Sequence, residues 1–451
     1  MQLNKYKNQN IAVFGLGKTG LSVINVLINS GARVYVWDDS IEKIISFKKI
    51  YRMCSFIHPG RYYWSEMRML VLSPGIRVSY PEHWIVKLAK SYGCKIKSDI
   101  ELFFEVKTVN QKVIGVTGTN GKSTTVSLIG HILKSAGKKV AIGGNLGIPV
   151  LDLEEDVEIY IIEFSSFQLE LIDKVNVDIA ILLNITLDHI DRHGSVENYI
   201  ATKLKLIKGS KIAVIGCDSE ITANIFNKFT GNKISISASM LYSLLFQCSK
   251  AEIQLYHVCD IKINLVSNAE NIVAAYIVLY KLFKIDNVII VNGIKSFQGL
   301  RHRNEMLGKI KNVFFVNDSK ATNVESTKKA ILSYKNIYWI LGGRSKRGGN
   351  IGSLCSKYFT RIKKAFLIGE STKIFASIMK RNRIDYVRCF NLENAFRIAF
   401  KEAIRSKEEI FILFSPACSS FDQWKSFEER GNAFCNAFEN LKRDYNNIRI
   451  V

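Results

Sequence analysis

The chain has 451 residues, 47% of them hydrophobic and 11% aromatic, enough apolar material for a sizeable core and, at ~150 residues per domain, for about three domains. A formal net charge of +23 invites a nucleic-acid partner, but Lys and Arg are spread through every segment without a block of like charge, so solvated faces that attract anionic small molecules are expected and nucleic acid is not. No N-terminal run has the build of a signal peptide, no stretch of ~18 apolar residues could span a bilayer, and the nine cysteines are too scattered for zinc ligation; the expectation is a reduced, cytoplasmic protein without membrane insertion.

Residues 10–14 read as a strand, Gly15-Leu16-Gly17-Lys18-Thr19-Gly20 as a turn, and residues 21–29 as a helix ending at Gly31. A second strand, residues 33–37, runs into Asp38-Asp39. Glycines followed about twenty residues later by an acid are the dinucleotide fingerprint in its β-α-β setting. Alone it would suggest a nicotinamide dehydrogenase, yet it reports only a diphosphate near a helix N-terminus and is silent on which one. Residues 70–76 add an apolar strand ending in a tight turn at Gly75, a natural place for a further ligand contact.

The most informative stretch is Gly115-Val116-Thr117-Gly118-Thr119-Asn120-Gly121-Lys122-Ser123-Thr124, set between the strand-like residues 112–116 and a helical pattern over residues 125–133. Glycines let backbone N–H groups close on an anion, the helix start adds its positive dipole end, and Lys122 and Ser123 are placed for terminal phosphates and Mg²⁺. The loop is a variant, because Gly115 stands one residue too far from Gly121 for the strict G-x-x-x-x-G-K-[ST] spacing. Further strands end in polar residues: residues 158–163 at Glu163, and residues 177–184 at a run containing Asp188, His189, Asp191, Arg192 and His193. Three such ends imply a shared crevice, where carboxylate and hydroxyl oxygens suit Mg²⁺. In the helix expected over 196–208, Lys203 and Lys205 point about 200° apart, so at most one can face that crevice.

Residues 299–303 form a basic link, and strands near 313–316, 337–341, 365–368 and 410–414, separated by helical patterns, make a third α/β unit.

These runs together resemble the ATP-dependent Mur ligases, which join amino acids to the UDP-muramoyl precursor of bacterial peptidoglycan. The resemblance rests on the phosphate loop, on E-F-S-S-F-Q-L-E, on N-I-T-L-D-H-I-D-R-H with a lysine fourteen residues after its first histidine, and on S-N-A-E-N-I-V-A-A. It implies an α/β fold of three domains: a Rossmann-like UDP-substrate domain over 1–98, a central P-loop ATPase-type domain over 99–299 and a Rossmann-like amino-acid domain over 300–451. ATP would lie against residues 115–124 together with Asn268, Asn271, Arg303 and Asp318. Ser123, Glu163, His189 and a carbamylated Lys203 would hold Mg²⁺, with Lys122, Lys203 and His189 catalytic. The UDP substrate would meet Gly15, Leu16, Gly17, Lys18, Thr19, Gly20, Asp38, Gly75, Asn145 and His189. A carbamate makes physical sense, since it turns a cationic amine into an anionic oxygen ligand.

Within the family, N-D-S-K-A-T-N (residues 317–323) and S-P-A-C-S-S-F-D-Q-W-K-S-F (residues 415–427) are similar to the D-glutamate-adding branch. That similarity implies Lys320, Thr322, Lys346, Ser420 and Phe427 around D-glutamate, UDP-N-acetylmuramoyl-L-alanine as acceptor, and a monomer. Arg344-Ser345 departs from the acidic-glycine pair often found before that lysine. The remaining alternatives are another ligase of the family, a folylpolyglutamate synthase, and a nucleotide-driven switch or nucleic-acid-binding ATPase.

Overall fold

The computed structural model describes residues 1–249, 263–345 and 351–448; Lys346 lies outside them. Three sheets carry the fold. The first, ordered β2-β1-β3-β4, comprises β1 (Asn10–Phe14), β2 (Arg33–Trp37), β3 (Met67–Leu72) and the two-residue β4 (Ile96–Lys97), all parallel. The second is built from β5 (Lys112–Thr117), β6 (Val140–Gly144), β7 (Ile159–Glu163), β8 (Val177–Leu182), β9 (Ser210–Gly216) and β10 (Lys233–Ile236), in the order β10-β9-β8-β5-β7-β6. The third, ordered β11-β12-β16-β13-β14-β15, contains β11 (Glu305–Ile310), β12 (Val313–Asn317), β13 (Ile337–Gly342), β14 (Ile362–Ile368), β15 (Asp385–Phe390) and β16 (Ile410–Phe414); only its edge strand β11 is antiparallel.

Central strands read as continuous apolar runs because helices cover both sheet faces. In β5, for instance, Val113, Ile114 and Val116 are completely buried. From β5 the chain goes to one side through β6 and β7, then to the other through β8, β9 and β10. The order therefore reverses at β5, and the crevice beyond its carboxyl end is where an open α/β sheet takes a ligand.

The chain divides into two compact units, one of Met1–Tyr256 with Glu270–Ile294, the other of His257–Ala269 with Lys295–Val451. Inside the first unit the helix Lys18–Asn29 packs toward the central sheet, where Ser22 Oγ donates to Asp152 at 2.7 Å, and Tyr6 donates to Glu105 at 2.7 Å. That helix begins three residues earlier than the sequence suggests, at Lys18 rather than Leu21, because the turn itself supplies its first residues.

Candidate active site

The loop after β5 needs glycine where it closes. Gly121 has φ +90 and precedes the helix Lys122–Ser135, and a Cβ there would lie 2.2 Å from Asn271 Oδ1 and 3.0 Å from Leu183 Cδ1. Any side chain at 121 would push the loop off its neighbours and strain its backbone. The loop is also tied from the side. Asn184 accepts from the Asn120 N–H at 2.9 Å and donates to Glu270 at 2.8 Å, while Thr119 Oγ1 accepts from the Thr186 N–H at 2.9 Å and sits 2.9 Å from Tyr199 Oη.

Two lysines converge on this loop. Lys122 Nζ donates to the carbonyls of Gly118 (3.0 Å) and Thr119 (2.9 Å); Lys203 Nζ donates to the same Gly118 carbonyl at 2.9 Å and lies 3.4 Å from Thr117 Oγ1. Lys203 is only 1% exposed. Burial, and after it the positive charge of Lys122, holds its amine well below the ordinary lysine range against the opposing pull of Asp188 and Glu163. Lys205 points elsewhere, donating to the Ile172 carbonyl at 2.9 Å.

Glu163, at the end of β7 and 2% exposed, accepts from Ser123 Oγ at 2.5 Å and from Asn145 Nδ2 at 2.7 Å. A buried hydroxyl and carboxylate side by side, next to a phosphate-type loop, form an oxygen-donor set that fits Mg²⁺. His189 adopts φ +55, precedes the short helix Ile190–His193, lies 3.6 Å from the Asp188 carboxylate and meets the Phe167 ring edge-on at 4.9 Å.

The glycine turn of the first sheet is built around Asp38. Its carboxylate accepts from the Leu16 N–H at 2.7 Å and the Ser40 N–H at 2.8 Å, with Lys43 at 3.3 Å. Burial alone would raise this carboxyl, but the two amides and Lys43 hold it below its usual value. The fingerprint acid thus shapes the loop as well as ending β2. Gly17 and Lys18 are exposed at the turn, Thr19 is half-buried, and a Cβ on Gly20 would lie 1.9 Å from the Gly15 carbonyl oxygen. The Gly75 carbonyl accepts from Arg192 Nη1 at 2.8 Å.

In the second unit Asp318 is buried, accepts from the Asn304 N–H at 3.0 Å and from Ser415 Oγ at 2.8 Å, and burial raises its carboxyl to about 7, with Arg303 among the charges that oppose this. Lys320 Nζ stands 3.8 Å from the centre of the Phe427 ring, Thr322 donates its N–H to the Lys320 carbonyl at 2.8 Å, and Ser420 is buried. Asn268 Nδ2 donates to the Asn264 carbonyl at 2.9 Å.

Four residues of these arrangements escaped sequence reasoning: Asn184, Tyr199, Glu270 and Arg430. Arg430 is fully buried and ties the loop after β12 to the run after β16, through Ser319 Oγ (3.1 Å) and the carbonyls of Ser319 (2.8 Å) and Cys418 (3.1 Å). Asn184 carried a usable signal, as the polar end of an apolar strand. Glu270 sits inside the quoted S-N-A-E-N run without being singled out there, while Tyr199 and Arg430 gave no local signal.

Known proteins share both the sequence and the fold. Residues 9–97 match the Mur ligase MurD-like N-terminal domain and residues 116–291 the Mur ligase middle domain. The chain is 62% identical to the UDP-N-acetylmuramoylalanine--D-glutamate ligase of Wolbachia sp. subsp. Brugia malayi, covering all of both chains, and 40% identical to that of Rickettsia prowazekii, covering 96% of this chain and 98% of the relative. Among solved structures, UDP-N-acetylmuramate-alanine ligase MurC from Thermotoga maritima shares the fold at a TM-score of 0.55 and 16% identity, covering 96% of this chain and 100% of that one. A pseudomurein peptide ligase type C from Methanothermus fervidus does so at 0.52 and 17%, covering 91% of this chain and 97% of that one. With identity sustained from end to end and two family domains matched, the chain belongs to the Mur ligase family, on its MurD-like branch.

Proposed function

We propose that this protein is an ATP-dependent amide ligase that adds D-glutamate to UDP-N-acetylmuramoyl-L-alanine, acting as a cytoplasmic monomer in peptidoglycan precursor synthesis. The observation that carries the reading is the convergence of Lys122, buried Lys203 and the Ser123–Glu163 pair on one phosphate-type loop. The near-complete identity coverage with ligases of that name supports it. In this reading residues 1–98 hold the UDP moiety at 15–20, with Asp38, Gly75, Asn145 and His189 completing the acceptor's contacts. Residues 99–299 hold ATP at 115–124 beside Asn271, and residues 300–451 the amino acid at Lys320, Thr322, Lys346, Ser420 and Phe427. Asn268, Arg303 and Asp318 serve the nucleotide.

A carboxylate does not form an amide in water, because it is a poor electrophile with hydroxide as leaving group. The acceptor carboxylate therefore attacks the ATP γ-phosphorus, ADP departs, and an acyl phosphate results. Lys122 counters the charge on the phosphoryl group in transit. The D-glutamate amine then attacks the activated carbonyl carbon, loses a proton, and expels phosphate from the tetrahedral intermediate. A neutral Lys203 amine can add to CO₂, forming an N–C bond and releasing a proton, which leaves an anionic carbamate where a cation would otherwise sit. Ser123, Glu163, His189 and that carbamate would hold Mg²⁺, which when bound neutralises phosphate charge.

The test is phosphate release from ATP with UDP-N-acetylmuramoyl-L-alanine and a panel of amino acids. Release requiring both the acceptor and D-glutamate is the expected result. Equal ATP consumption without either substrate, or preference for an L-amino acid, overturns the assignment.

A further inference from the structure

Arg192, three positions beyond His189, has no role in the reaction described above, yet its side chain is 4% exposed and fully engaged. Nε donates to Glu170 Oε2 at 2.8 Å, Nη1 to the Gly75 carbonyl at 2.8 Å, and Nη2 to the carbonyls of Pro74 at 3.1 Å and Ile76 at 2.8 Å. The guanidinium also lies over the Phe167 ring, 4.5 Å from its centre. Three consecutive carbonyls of the turn after β3 thus point at one cation. Glu170, itself buried, uses its other oxygen to accept from Ser79 Oγ at 2.5 Å. A guanidinium out of water is tolerated only when its donors are satisfied, and its rigid fork fits several acceptors at fixed angles.

What this grip connects decides its meaning. On one side, Ser73 Oγ donates to the Gly15 carbonyl at 2.7 Å, so the turn of residues 73–76 is fastened to the glycine loop of the first sheet. On the other side, Arg192 belongs to the four-residue helix that His189 opens, and Glu170 to the helix Ser166–Leu171 that follows β7 and Glu163. The next residue, His193, is tied to that same helix through Ser166 Oγ at 3.1 Å. A continuous chain of short contacts therefore runs from the diphosphate-type loop at 15–20 to the elements bearing Glu163 and His189. Simple cohesion between two sheets could be supplied by any buried contact. This one is set between the two ligand loops.

We propose that Arg192, held by Glu170, is a positioning residue that fixes the reach from the UDP-binding loop to the phosphate-transfer crevice, and so sets the acceptor carboxylate against the ATP γ-phosphoryl group. The proposal rests on the ligase reading above. A displacement of about 1 Å between reacting groups can lower turnover about 100-fold while leaving each ligand's own contacts intact.

The experiment compares the full-length wild type with Arg192→Ala, Arg192→Lys and Glu170→Gln. UDP binding, ATP binding and steady-state phosphate release with both substrates are measured for each. Arg192 itself touches neither the UDP-side loop at 15–20 nor the phosphate loop at 115–124, so both binary affinities are expected within about twofold of wild type, while kcat falls about 100-fold in Arg192→Ala. Arg192→Lys, unable to span three carbonyls, recovers less than about a tenth of the activity, and Glu170→Gln falls between. Wild-type kcat and KM in Arg192→Ala overturn the proposal. Loss of UDP and ATP binding together with turnover also overturns it, since that marks a merely cohesive residue. If Arg192→Ala does not fold, Arg192→Lys and Glu170→Gln decide the matter by the same split. A wild type that releases no phosphate with both substrates would refute the ligase reading instead, a result separable from any of these.

Discussion

The Gly118 carbonyl accepts from two lysine side chains, Lys122 at 3.0 Å and Lys203 at 2.9 Å. Two like charges cannot both be stable around one buried oxygen, and the fully buried member yields: Lys203 is driven toward the neutral amine by desolvation and by its neighbour. Helix geometry already separated Lys203 from Lys205, and the family resemblance pointed to the former. This lowering was not legible, because burial and the Lys122 contact depend on a fold that brings residues 118, 122 and 203 together. Lys203→Ala is expected to lower phosphate release at least 100-fold, with millimolar formate or acetate restoring part of it by supplying the missing anion. Activity unchanged in that variant, measured at saturating ATP, would remove Lys203 from the site.

At the scale of elements, both glycine loops were readable, because short-range backbone chemistry determines them. A Cβ on Gly20 would lie 1.9 Å from the Gly15 carbonyl oxygen, a contact no side-chain rotation can relieve, since the oxygen is backbone and the Cβ is fixed to its Cα. Gly20→Ala is therefore expected to weaken binding of UDP at least tenfold while ATP binding stays at the wild-type level, both read by calorimetry. Equal UDP affinity in the variant would place the diphosphate elsewhere. The strands missed in the sequence were β4, β9, β10, β11 and β15; β9 is internal, and the other four are sheet edges whose residues remain partly exposed. The edge strands lack the continuous apolar run that marked β5, β8 and β16. Asp38 shows the same limit in a side chain: its place after β2 was evident, its engagement with the Leu16 and Ser40 amides was not.

For the whole molecule, the +23 charge describes a surface that attracts anions and does not select a fold. Among the described residues no helix is long and apolar enough to cross a membrane. Stability should carry a pH signature from Asp99, which opens the helix Asp99–Val106 between the first and second sheets and is 1% exposed, with Oδ1 lacking a hydrogen-bond partner. Burial raises its carboxyl from 3.8 to about 7. The folded chain therefore holds a proton that the unfolded chain releases between those values, so this site costs nothing below pH 3.8 and destabilises increasingly up to about pH 7. Asp99→Asn should raise the thermal midpoint at pH 8, by an amount corresponding to about 2 kcal/mol, and have little effect near pH 4. A shift of equal size at both pH values would show that folding does not raise the Asp99 carboxyl.

Local patterns in the chain were enough to establish three α/β modules, two glycine loops at helix starts and membership of a ligase family, because strand periodicity, glycine spacing and helix starts act over a few residues. Tertiary structure alone decided which lysine has its amine pushed below its ordinary range, which carboxylate pairs with Ser123, and how Arg192 grasps three carbonyls more than a hundred positions away. Those outcomes depend on desolvation and on contacts between distant segments, and neither exists until the sheets have packed.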